Sequence, residues 1–145
     1  MKELSEKLLS LVEAAEPRLR EISEKTSIQP ILPGGWSRKQ VIGHLIDSAS
    51  NNHQRFVRAA LQTSLDFPGY DQSGSVRVQA VQGADWKLLV SLWAAYNRYL
   101  AHVIAQLPAA IAVSTSASDR LGWRFRAFSS AAISCAERDW SKCRL

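Results

Sequence analysis

Residues 36–58 read WSRKQVIGHLIDSASNNHQRFVR. Ser37 and Gln40 stand three apart ahead of an apolar run, the spacing of a capping box: the Ser37 hydroxyl accepts from the backbone N–H of Gln40, and the Gln40 side chain reaches back to the N–H of Ser37. Trp36 and Val41 flank the pair as a hydrophobic staple. The spacing predicts a long helix that starts at 37 and runs to about 61. Beyond it, residues 62–75 (QTSLDFPGYDQSGS) break the pattern with Pro68, Gly69 and Gly74.

On that helix His44, Asp47, Ser48, Asn51, Arg55 and Arg58 lie at offsets of 0, 3, 4, 7, 11 and 14. At 3.6 residues per turn all six fall within an arc of about 100°. Ile42, Leu45, Ile46, Ala49, Phe56 and Val57 take the other side, with His53 among them. An ordinary solvated face would be coated with long charged side chains. This one carries mostly short polar groups plus one imidazole and one carboxylate, a composition suited to a pocket wall or the polar end of a bundle. His44 is thus a candidate metal ligand or general base, with Asp47 a second ligand or an acceptor that orients the imidazole. Ser48, Asn51 and Arg55 are candidate pocket residues. His53 projects about 180° from His44, which points to a core or interface position.

Outward from this helix the chain stays helical in pattern. Leu4, Leu8, Leu11, Val12, Ala15, Leu19 and Ile22 recur at spacings of three and four across residues 3–25, with Pro17 marking a kink or a break into two pieces. Residues 27–36 (SIQPILPGGW) are loop chemistry. Residues 86–107 place Leu89, Leu92, Trp93, Tyr96, Leu100, Val103, Ile104 and Leu107 on one stripe and stop at Pro108; His102 falls beside the stripe, a surface position. Trp93 and Tyr96 read as core. Residues 123–140 are helix-compatible with weaker patterning, and no alternating strand pattern or internal repeat is present. The expected fold is all-α, a four-helix bundle, in one domain spanning 1–145 whose last segment, about 120–145, is the least patterned.

Bulk composition sets the outer limits. With 145 residues, 46% apolar and 21% charged, the chain can bury one sizeable core. No apolar run approaches the roughly 18 residues of a membrane span, and the first twenty residues interleave acids and bases unlike a signal peptide; a cytoplasmic protein is expected. Cys135 and Cys143 lie eight apart and read as thiols rather than a disulfide framework. Of the net charge of +5, the tail from residue 117 supplies +3, scattered rather than clustered, so a nucleic-acid partner ranks last.

The run at 36–59, followed by FPGYDQ (67–72) and LVSLWAAYNRYLAHVIAQLP (89–108), resembles the DinB superfamily in order and spacing over about residues 30–110. The resemblance implies a DinB-like four-helix bundle, often a homodimer, in which three histidines at one end hold a divalent metal, usually zinc or nickel. His44 matches the first of them. It also implies action on a small-molecule electrophile, as a hydrolase or as a transferase or isomerase using a low-molecular-weight thiol. The other two histidines of the family lie on the last helix as His-x-x-x-His, whereas residues 128–145 (FSSAAISCAERDWSKCRL) contain none. Three readings stay open: a C-terminus truncated or frameshifted relative to its relatives, replacement of the lost pair by Cys135 and Asp139 at the same i, i+4 spacing, or a bundle that keeps the fold but binds metal weakly or not at all. Tyr70, after a Pro-Gly turn, is a further pocket candidate that could fold over the mouth of the site or cover a hydrophobic edge. Two classes of function follow: a metal-dependent enzyme activating a thiol or water, and a non-catalytic helical module whose polar strip lines a pocket or subunit contact.

Overall fold

The computed structural model describes residues 1–62, 69 and 71–108, and every described element is helical. In chain order these are α1 (Lys2–Arg20), α2 (Glu24–Ser27), α3 (Arg38–Leu61), α4 (Gln72–Val78), a single 3₁₀ turn (Val81–Gly83) and α5 (Trp86–Gln106). Residues 109–145, where the fourth long helix was expected, lie outside the described residues. Among the described residues no helix is long and apolar enough to cross a membrane.

The two central helices start where their caps dictate. Both halves of the α3 capping box form: Ser37 Oγ accepts from Gln40 N at 3.2 Å, and Gln40 Oε1 accepts from Ser37 N at 2.9 Å. Asp85 caps α5 by accepting from Leu88 N at 2.7 Å, and α5 ends just ahead of Pro108, which cannot continue it. The N-terminal helix differs from its expected extent. Pro17 sits inside α1, the helix stops only at Arg20, and residues 24–27 form the separate α2, capped by Ser23. The interruption therefore follows Pro17 by one turn. Ile22, expected on the helical stripe, lies in the connection and still packs against the core. The turn-rich stretch after α3 also holds a helix that the pattern did not show: Asp71 accepts from Gly74 N at 2.9 Å and nucleates α4.

α5 lies between α1 and α3 and packs against both. Its Trp86, Leu89, Val90, Trp93, Ala94, Leu100, Ala101 and Ile104 meet Leu8, Val12, Ala15 and Leu19 of α1 and Ile42, Ala49 and Phe56 of α3. Each Leu, Ile, Val or Phe side chain among them that is taken out of water stabilises the fold by about 1.5–3 kcal/mol. Trp93 is core as its spacing implies, while Tyr96 is only half-buried.

A polar knot fastens the end of the bundle from which α3 and α5 start. Lys39 is buried, and its ammonium pairs with Glu24 and donates to the carbonyls of Gln82 and Ala84. Glu24 also accepts from Trp86 N at 2.9 Å, and the Trp86 indole donates to Leu19 O at 3.0 Å. Five segments, α1, α2, α3, the 3₁₀ turn and α5, are thereby tied together at the first turn of α3.

Candidate functional site

α3 carries the candidate site, and its capping box sets the rotation of the face that carries it. His44, just over one turn past that box, is buried at 7% exposure. Its ring lies edge-on to Trp36, with centroids 5.6 Å apart and planes at 63°. Burial pushes the His44 imidazole below its ordinary pKa, and the nearby Asp47 carboxylate pulls back only part of that shift. The imidazole is therefore neutral at pH 7, the form that binds a metal or accepts a proton.

Farther along, Asp47, Ser48, Asn51 and Arg55 are half-buried, and Arg58 is exposed. Asn51 Nδ2 donates to Asp47 O at 3.0 Å, one turn back on the same strip. Asn52 Nδ2 stands 3.5 Å from Ser48 Oγ. The face is thus a sheltered polar wall for most of its length and meets open solvent only at its far end. His44, Asp47, Ser48, Asn51 and Arg55 do share it. Tyr70, Cys135 and Asp139 lie outside the described residues.

Behind His44 the backbone is gripped closely. A Cβ placed on Gly43 would stand 2.6 Å from Val81 Cγ1, so only glycine lets the 3₁₀ turn approach α3 this tightly. The turn enters through Ala80 in the left-handed region, φ 48°.

His53 lies on the opposite side of α3. Its Nδ1 is 3.1 Å from the Tyr96 hydroxyl, and its ring meets Tyr96 and Tyr99 edge-on at 5.9 and 5.3 Å. His102 is exposed and stacks on Tyr99 at 6.4 Å. Neither histidine shares the face of His44.

Among the described residues no group of three His, Cys, Asp or Glu side chains is gathered closely enough to hold a metal ion. His44 and Asp47 make two candidates, and a structural or catalytic zinc site takes at least three protein ligands. Sequence reasoning missed Lys39 as an anchor of this end of α3. Its signal was available: Arg38 and Lys39 place two cations in a helical first turn, against the helix dipole, which calls for an acidic partner from elsewhere.

No protein-family model matches the chain, and no curated protein matches it. Among solved structures the chain is similar to YfiT from Bacillus subtilis, described as a probable metal-dependent hydrolase with an unusual four-helix bundle topology. The TM-score is 0.64 at 21% identity, over 77% of this chain and 66% of that one, so the chain spans just under two thirds of that structure's length. At this identity the likeness shows the fold: an all-α chain built as a four-helix bundle.

Proposed function

We propose that this chain is a DinB-like, divalent-metal-dependent enzyme of the hydrolase or thiol S-transferase class, a homodimer acting on a small electrophile. The observation that carries the reading is His44: a buried imidazole held neutral on a sheltered polar wall, in a fold shared with a protein described as metal-dependent. A bound zinc or nickel would lower the pKa of a thiol or water and so supply a nucleophile near neutral pH. His44 would ligate through a ring nitrogen with no proton to lose first. Asp47, one turn on, would be a second ligand or would orient the imidazole. Ser48 and Asn51 offer short hydrogen-bonding groups that position a polar substrate, and Arg55 offers a cation for an anionic one. Cys135 or Asp139 would have to complete the ligand set.

A second reading is a bundle that keeps the fold without the chemistry. It draws on the shortfall of ligands, two rather than three, among the described residues. Metal content measured by inductively coupled plasma mass spectrometry separates the two, after the intact mass has been checked. Near-stoichiometric zinc or nickel in the wild type that is lost in His44→Ala supports the enzyme. Absence of metal from protein purified without chelator and then offered either ion sinks it.

A further inference from the structure

The indole of Trp36 reaches His44 from the loop ahead of α3, and the backbone that carries it is fixed on both sides. On the N-terminal side, Leu32 O accepts from Gly35 N at 2.9 Å across Pro33 and Gly34, and Gly34 has φ 72°. Proline at the second position and a left-handed glycine at the third are what a type II turn requires. The turn folds residues 30–37 back on themselves: Pro30 and Ser37 form an antiparallel bridge, and Ile31 N donates to Trp36 O at 3.0 Å. On the C-terminal side stands Ser37, held by the capping box, and its hydroxyl donates to Gln82 Oε1 at 3.0 Å.

A residue gripped this way has little freedom in where its side chain starts. Just ahead of a helix cap, an apolar side chain ordinarily packs one turn into the helix, here against Val41. Val41 is buried, yet the indole extends past it to His44, eight positions along the chain. The contact supplies something that α3 does not. A helix fixes where a histidine side chain starts but not the plane of its ring, because rotation about the last bond of histidine is broad. An edge-on aromatic neighbour removes that freedom, favouring one relative orientation by roughly two- to tenfold. Trp36 is half-buried and His44 buried, so the indole stands between the imidazole and solvent on the side they share.

We infer that Trp36 is a positioning residue for His44: carried on the turn at 30–37, it sets the plane of the imidazole and shields one side of it. This rests on His44 being the reactive group of the function proposed above, and it holds whether that imidazole ligates a metal ion or accepts a proton. The test is the rate at which diethyl pyrocarbonate acylates each histidine, followed by peptide mass spectrometry in the wild type, Trp36→Leu and Trp36→Phe. Exposed His102 is the internal standard, and half-buried His53 reports on the rest of the bundle. In Trp36→Leu, His44 should react about fivefold faster relative to His102 while His53 stays within about twofold, and Trp36→Phe, which keeps a ring, should restore most of the protection. The wild type should also show a nuclear Overhauser effect between the ring protons of Trp36 and His44. A zinc titration adds the functional readout: Trp36→Leu should weaken binding about fivefold without changing the stoichiometry. A His44 rate that is unchanged in Trp36→Leu, or that rises only in step with His53, overturns the positioning role, as does a wild type without the ring-to-ring effect. A wild type that binds no zinc while Trp36 still protects His44 sinks the metal-enzyme reading and leaves the positioning role standing.

Discussion

The ammonium of Lys39 is buried at 2% side-chain exposure, and the carboxylate of Glu24 that pairs with it is 57% exposed. The lysine, then, carries the desolvation cost and depends on its three acceptors. Lys39→Ala should destabilise the fold by about 3 kcal/mol, through lost packing and two orphaned carbonyls. Lys39→Met, which keeps the volume, should cost less. Urea denaturation of the two variants checks the order.

Two carboxylates make the fold acid-sensitive. Glu16 is held below the ordinary carboxylate range by hydrogen bonds from Arg20 and then Arg98, and Glu24 by Lys39 and then the Trp86 N–H. Depressed values mean that the unfolded chain binds protons first, so stability is full above about pH 5 and falls as pH drops through the lowered values. Glu16→Gln should lower stability at pH 7 and flatten the loss between pH 5 and 2. Denaturation midpoints measured across that range decide it.

His44 contributes a slope of the same sign nearer neutrality. Its folded pKa is depressed by burial, so the unfolded imidazole, near 6.5, takes its proton first as pH falls. Stability is lost below about pH 7 until the folded value is reached, then levels. In chelator-treated protein the His44 ring signal should titrate below 6.5 by NMR. A midpoint at or above that value would contradict its burial.

The turn behind His44 should respond oppositely to two small changes. Gly43→Ala drives a methyl into Val81 and should cost about 1–3 kcal/mol. Ala80→Gly relieves a left-handed residue at some cost in unfolded-chain entropy and should gain about 0.5 kcal/mol. Thermal melts of both variants check the signs.

What the sequence disclosed follows how local each cause is. The α3 start was legible because Ser37 and Gln40 act within one turn, and the end of α5 because Pro108 acts on its own neighbours. α4 was not, since seven residues that follow a Pro-Gly pair in the sequence carry too little periodicity for the Asp71 cap to stand out. The polar strip was legible as a spacing, yet the burial of His44 depends on packing that a helical wheel does not contain. The Lys39–Glu24 pair joins residues fifteen positions apart through a loop, and only the dipole mismatch at Lys39 hints at it.

The hydroxyl of Ser5 donates to the carbonyl of Ala101 at 2.7 Å, across 96 positions of sequence. α1 finds its seat on a helix made almost a hundred residues later. At roughly 5–20 residues per second of synthesis, its apolar stripe waits about 5–20 s before α5 exists to receive it, while α3 and α5, closer in sequence, can pair as soon as both have emerged. Among the described helices the one made first waits longest for its partner, and over that interval its apolar stripe stays exposed to water.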